Sequence, residues 1–298
     1  MELLKRVLTA VVLIPLVLLL VLRAPIPVLA FVAAVVALLA IYELLKLSEA
    51  YGIKPLRAPT FVFAGLFFVL IGVEPPATDL LSTAGFTYFA LSFAVLGPFI
   101  FLVTAMYRSD LASGFPAASL SAFAFAFIAV PMACLVQLRQ QWQGSFLLLY
   151  LLLLVWAGDI FAYFIGKSIG THRMAPRLSP HKTWEGALAS VVASIAVGIG
   201  MFHYAVPISR ALLAAHLIDL RDGVFNAPRS LIPILALSIV LNAAAQLGDL
   251  AESLIKRGSS AKDSGRILPG HGGMLDRIDA LLFATPVLWC YAAWRVMQ

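Results

Sequence analysis

The chain has 298 residues, 62% of them hydrophobic and only 12% charged, with a mean hydropathy of +0.97, and this excludes an ordinary soluble globular domain. Its net charge of +6 comes from Lys and Arg scattered through short loops between apolar runs, which argues for membrane orientation and against a nucleic-acid-binding face. Cys134 and Cys290 both lie inside apolar runs, so neither a disulfide framework nor a Cys-ligated zinc site is indicated.

Lys5 and Arg6 precede an apolar run over 7–22 that has the look of a secretory signal. Arg23, Ala24 and Pro25 follow it without a small-x-small cleavage site, so the run is expected to remain as a first membrane helix. Further apolar runs lie over 26–45, 60–73, 85–106, 117–136, 146–165, 187–206, 230–250 and 278–297. A span needs about 20 apolar residues, so 60–73 is the short one and a re-entrant segment is its other reading. The fold class expected is all-α, a polytopic transmembrane helical bundle of about nine spans. Residues 1–143 would supply N-terminal helices and residues 144–298 a catalytic region with two polar loops.

Placing the loops on alternate sides puts Lys5, Arg6, Lys46, Lys54, Arg57, Arg108, Lys167, Arg173, Arg177, Lys182, Lys256, Arg257, Lys262, Arg266 and Arg277 together. Only Arg23, Arg139, Arg210, Arg221, Arg229 and Arg295 remain opposite. The positive-inside rule then sets both polar loops in the cytoplasm, with the protein multi-pass in the cell's inner membrane.

In the first half, Glu43 reads as a helix-end carboxylate, and Gly97-Pro98 and Pro131 as helix kinks, with functional roles as the alternative. The stretch 208–218 has an amphipathic pattern suited to an interfacial helix. It opens a linker that also carries His216, Asp219, Arg221 and Asp222.

An Asp in the middle of a membrane helix costs about 2.5–3.5 kcal/mol on insertion scales, so it usually faces the bundle interior or a watery cavity. Asp159 is one such residue, on a helix where Gly158, Ala162, Gly166 and Gly170 form a strip of small residues open to a neighbouring backbone. Asp249 is the other. Asn242, Gln246, Asp249, Ser253 and Lys256 follow steps of four and three and share one face. That stripe reads as a cavity wall; an ion path in a transporter and an inert interhelical seam are the alternatives. No paired arrangement in two halves supports the transporter.

Charge is concentrated in 253–279, which holds Lys256, Arg257, Lys262, Asp263, Arg266, His271, Asp276, Arg277 and Asp279 among several glycines. Cations and bare backbone N–H groups suit phosphate oxygens, and carboxylates suit a divalent metal. Asp276 and Asp279 are three apart at a helix mouth, where capping is the other reading for one of them. A second basic stretch carries Lys167, Arg173, Arg177, Ser179, Lys182, Thr183 and Glu185. Lys182 and Thr183 suit phosphate contact, and Ser179 or Thr183 equally suits a helix cap.

At these residues the sequence resembles the phosphatidate cytidylyltransferases, or CDP-diacylglycerol synthases. The family signature runs Ser-x-apolar-Lys-Arg, four residues, Lys-Asp, then Pro-x-His-Gly-Gly-apolar-x-Asp-Arg-apolar-Asp, and it is met at every position between Ser253 and Asp279. Segments 159–166 and 179–186 are similar to the family's upstream segments, with His181 standing before Lys182 where Lys or Gly is expected. The resemblance implies CTP plus phosphatidic acid giving CDP-diacylglycerol and pyrophosphate.

On that reading Asp249 and Asp276 are the principal metal ligands, with Asp279 and Asp263 as further ones. Lys256, Arg257, Lys262 and Arg277 hold the triphosphate, and His271 assists the leaving group. Lys167, Ser179, Lys182, Thr183, Gly272 and Gly273 contact nucleotide or lipid phosphate. Hard carboxylate oxygens without cysteine favour Mg2+, as two ions with a monovalent cation admitted. The partners expected are CTP, phosphatidic acid, membrane lipid and a second copy in a homo-oligomer, with no nucleic acid.

Overall fold

The computed structural model describes residues 2–73, 80–141, 143–218, 231–265, 267 and 272–296. Within the described residues the expected apolar runs form helices, as a chain does where no water is present to satisfy backbone groups. In chain order the helices are α1 (Glu2–Arg23), α2 (Ile26–Ser48), α3 (Arg57–Val73), α4 (Leu80–Ala105), α5 (Gly114–Ala124), α6 (Val130–Gln140), α7 (Gly144–Ser168), α8 (Trp184–His203), α9 (Ala205–Ala214), α10 (Ile232–Gly258) and α11 (Leu275–Val296).

Six helical stretches among the described residues are long and apolar enough to cross a bilayer: Ile26–Tyr51, Thr83–Ala105, Gly114–Gln140, Gly144–Ser168, Trp184–His203 and Ile232–Gly258. With large apolar side chains such as Phe31, Val62, Val69, Leu91 and Phe99 turned outward, the protein is an integral membrane protein. The remaining expected spans are shorter or more polar. α3 is one uninterrupted helix of 17 residues rather than a re-entrant hairpin. α11 carries Asp276, Arg277 and Asp279 at its start, which lowers its apolar character there. α9 covers the first part of the expected interfacial helix. Asp219, Arg221, Asp222 and Arg229 lie outside the described residues.

Two prolines lie within helical stretches, in different settings. Pro131 has no N–H to donate, and the turn just before it, Phe125–Ala129, widens to π geometry and joins α5 to α6. Pro98 lies inside α4. Rings of Phe63, Phe67, Phe93 and Phe125 pack at centroid separations between 4.8 and 6.3 Å and join α3, α4 and the π turn.

The N-terminal half of α7 runs through the centre, buried continuously from Gly144 to Leu152. Its Tyr150 hydroxyl lies 2.9 Å from the Ser238 hydroxyl of α10. α8 packs along α7, and α10 packs against both α8 and α11. The strip of small residues on α7 allows the first of these contacts. A Cβ on Gly158 would sit 2.7 Å from Ser190 Oγ, and one on Gly186 of α8 would sit 2.8 Å from Ala162 O and 3.2 Å from Gly166 Cα. Gly186→Val is therefore expected to lower stability by about 1–3 kcal/mol, the usual cost of overpacking. Gly200→Ala, which faces open space on the same helix, is expected to be neutral, and denaturant titration of both variants in detergent measures the difference.

Between α7 and α8 the chain forms the one sheet among the described residues, an antiparallel ribbon of β1 (Arg173–Ala175) and β2 (Ser179–Thr183). Its turn closes with Leu178 N–H donating to Ala175 O at 3.1 Å, and Pro176 occupies the position where a fixed φ favours such a turn. The basic loop expected from sequence is thus a hairpin. Thr183 ends it by accepting a hydrogen bond from Gly186 N–H at 3.2 Å, which caps α8.

Candidate active site

The stripe on α10 divides in two. In its upper part the Asn242 amide donates to Ser190 and Ser194 hydroxyls, both at 2.8 Å, and Gln246 donates to Ala187 O at 3.2 Å and to Asn242 Oδ1 at 2.6 Å. Those side chains are consumed in a seam with α8, so this portion is not an ion path. Below them the same face turns chemical. Asp249 Oδ2 lies 2.5 Å from Lys182 Nζ of β2, so the hairpin delivers a cation to the carboxylate of α10.

One turn further, Glu252 and Asp279 join Asp249, and one carboxylate oxygen from each lies within 4.8 Å of the other two. Gly248 brings α10 and α11 this close, because any Cβ there would collide with Asp279 O. Asp159 of α7 is exposed and is not one of the three converging carboxylates. Glu252 was not picked out from the sequence, although its spacing from Asp249 and Lys256 puts it on their face. It is buried, and neither of its carboxylate oxygens has a hydrogen bond of normal geometry among the described residues.

Lys256 lies between two carboxylates, 2.5 Å from Glu252 Oε2 and 2.6 Å from Asp276 Oδ1. The other oxygen of Asp276, Oδ2, accepts from Gly273 N–H at 2.8 Å and Ser264 N–H at 3.0 Å, with the Ser264 hydroxyl 2.9 Å away. Asp276 therefore adjoins the triad through Lys256 and is oriented by its own loop. Gly272, at φ +80°, supplies the left-handed residue this turn requires.

The other expected residues lie around this centre. Arg257 donates to Leu178 O at 3.1 Å and Ala261 O at 3.2 Å, tying the tip of the β hairpin to the end of α10. Lys262, Asp263 and Arg277 are exposed beside it. Lys167 is exposed at the end of α7, 5.6 Å from the Tyr163 ring. Ser179 opens β2, half-buried. Thr183 is buried in its capping role, and Glu185 holds Thr171 and His172, with His172 Nδ1 at 2.7 Å from its Oε1. His271, Arg266, Pro269 and Gly270 lie outside the described residues.

A donor set of three carboxylates, one of them buried with only the Lys256 ammonium against its Oε2, fits a hard divalent cation. The lysines on either side fit an anionic phosphate ligand.

A family model described as the cytidylyltransferase family matches residues 4–294. The chain belongs to this family. Among curated members, it is 39% identical over 203 residues to the phosphatidate cytidylyltransferase of Brucella abortus biovar 1 (strain 9-941), covering 68% of this chain and 65% of that one. It is 35% identical over 170 residues to the protein of that name from Haemophilus influenzae, covering 55% and 54%. With that of Staphylococcus aureus (strain COL) it shares 31% identity over 261 residues, or 86% of each chain. The chain thus spans just under two thirds of the length of the Brucella relatives it matches. Within this family the triad, the two lysines and the hairpin form the candidate active site.

Proposed function

We propose that the protein transfers CMP from CTP to phosphatidic acid at the cytoplasmic side of the cell's inner membrane, giving CDP-diacylglycerol and pyrophosphate. The observation that carries this reading is the convergence of Asp249, Glu252 and Asp279 between Lys182 and Lys256. The relatives, named phosphatidate cytidylyltransferases, supply the substrates.

The reaction joins two anions, so positioning and charge neutralisation carry most of the rate. An oxygen of the lipid phosphate attacks the α-phosphorus of CTP in line. The new P–O bond forms as the bond from that phosphorus to the bridging oxygen of the β-phosphate breaks, and pyrophosphate leaves with the electron pair. A phosphate monoester is already largely ionised near neutral pH, so no general base is required. Direct transfer without a covalent nucleotidyl-enzyme is the simpler route.

Asp249, Glu252 and Asp279 would hold Mg2+, with Asp276 across Lys256 as a further oxygen donor. Bound magnesium supplies Lewis-acid charge to phosphate oxygens. Lys182 and Lys256 face the triphosphate from the two sides of the triad. Lys262 and Arg277 add charge at the exposed rim, and Lys167 at the end of α7 suits the lipid phosphate. Arg257 keeps the hairpin over the site.

Purified protein supplied with radiolabelled CTP, phosphatidic acid and Mg2+ is expected to form a lipid-soluble labelled cytidine product. No such product from folded protein, or a labelled enzyme-bound CMP, would overturn the reaction or the direct route respectively.

A further inference from the structure

The hairpin between α10 and α11 is held from outside by a residue with no part in the signature. Glu43 lies near the end of α2, is 1% exposed, and reaches across more than two hundred positions of sequence. Its Oε2 accepts from Leu275 N–H at 2.8 Å and from the Ser264 hydroxyl at 2.9 Å, and its Oε1 accepts from Met274 N–H at 3.0 Å. The first-turn N–H groups of a helix have no partner within it, and a carboxylate there also meets the positive end of the helix dipole. α11 has Met274 just before its first residue, a side chain without a capping oxygen. Glu43 thus supplies the cap in trans.

The fit is built from both sides. A Cβ on Gly265 would collide with Glu43 Oε1, and one on Gly273 would sit 2.5 Å from Oε2 and 2.6 Å from Oε1. Two glycines therefore leave the space that this carboxylate fills. Eight residues further on, the Tyr51 hydroxyl donates to Ile255 O of α10 at 2.8 Å and fills the space above Gly258. The end of α2 and the turn after it accordingly grip the hairpin at both of its helices.

From Glu43 the contacts run directly into the site. The Ser264 hydroxyl lies 2.9 Å from Glu43 Oε2 and 2.9 Å from Asp276 Oδ2. Asp276 continues to Lys256, and Lys256 to Glu252 of the triad. Ser264 has one hydroxyl hydrogen for two carboxylates, so the state of one bond fixes the other.

We infer that Glu43 is a positioning residue for nucleotidyl transfer: it fixes Ser264 and the start of α11 at Met274 and Leu275 so that Asp276 holds Lys256 against the metal-binding carboxylates. This rests on the function proposed above. A side chain from the otherwise generic N-terminal half then tunes the chemistry of the C-terminal half without touching substrate.

The test compares wild type, Glu43→Gln, Glu43→Asp and Thr60→Val as full-length, detergent-purified proteins. Thr60 is buried on α3, where its hydroxyl lies 2.8 Å from Ser121 and has no connection to the hairpin, so Thr60→Val controls for loss of a buried polar contact. Glu43→Gln is expected to lower kcat about ten- to hundredfold, the range seen when a group orienting a catalytic ligand is lost. KM for CTP and phosphatidic acid should change much less, and trypsin should cut faster between Arg257 and Arg277. Glu43→Asp, which keeps the carboxylate, is expected to recover part of kcat, and Thr60→Val to keep kcat whatever its Tm.

A Glu43→Gln kcat within twofold of wild type, or an equal kcat loss in Thr60→Val at matched Tm, overturns the inference. If wild type itself forms no cytidine lipid, the proposed function fails instead. Faster tryptic cleavage in Glu43→Gln still reports on the positioning contact in that case.

Discussion

Asp279→Asn is expected to lower kcat/KM for CTP by more than about a hundredfold and to raise the Mg2+ concentration needed for half-maximal rate. Loss of a group that merely orients a metal ligand costs about 10–100-fold, and Asp279 belongs to the converging set itself. The substitution preserves shape and removes one negative charge of three, leaving Asp249 and Glu252 to hold a divalent cation. Asp249→Asn should act in the same direction, with a second consequence. Lys182 is ion-paired to Asp249 at 2.5 Å, so the hairpin loses its charged tie to α10 and KM should rise along with the fall in kcat. Steady-state kinetics at several Mg2+ concentrations separate these two patterns. Asp110→Asn, at an exposed loop position where the side chain accepts from Ala112 N–H, should change neither constant. Wild-type kinetics in Asp279→Asn would remove the triad from the mechanism.

The contrast between what was legible and what was not follows from the range over which each interaction acts. A membrane helix satisfies its backbone locally and shows itself as an apolar run, so helices at 26–45 or 146–165 could be read from composition alone. The face shared by Asp249 and Lys256 follows from helical periodicity, a rule spanning a single turn. Periodicity does not say what the face meets, and the stripe proved to be a seam with α8 at Asn242 and Gln246 before it became a site at Asp249. Glu252 shared that face and was passed over, because Ser253 completed the same spacing one residue later. The signal was available in the Asp249, Glu252, Lys256 spacing. For Thr183 the sequence offered phosphate contact and helix capping, and the hydroxyl oxygen accepts the Gly186 N–H as a cap. Glu43 had no local signal at all. Its partners are Ser264, Met274 and Leu275, on the far side of eight intervening helices, and the glycines that admit it look like ordinary turn glycines. Long-range capping has no period, which is why a helix-end carboxylate was the natural reading.

Lys256→Met should be the most destabilising single change at this site. The lysine is nearly buried and touches Glu252, which is fully buried, and Asp276, which is nearly so. Removing one partner of such a group leaves uncompensated charge in a poorly solvated place, at a cost of about 3–5 kcal/mol, and here two carboxylates are left facing one another. Lys256→Arg is not a safe substitute, because a planar guanidinium with fixed donors must enter a space shaped for a compact ammonium. The informative partner is Lys256→Met combined with Glu252→Gln. If the cost of the single change is electrostatic, the double variant regains much of the lost stability, and the cycle shows a coupling of at least about 1 kcal/mol, as expected for side chains in one network. Catalysis should not return with stability, because the double variant lacks both the cation facing the triphosphate and one carboxylate of the triad. Denaturant titration in detergent gives the coupling and the cytidine-lipid assay gives the rate. Additive stability changes would mean that Lys256 acts through its aliphatic packing. Restored activity would mean that neither group takes part in the reaction. Stability regained without activity is the result that assigns the lysine to both the fold and the chemistry, since the same ion pairs that keep Glu252 and Asp276 tolerable within the helices also aim them at the nucleotide.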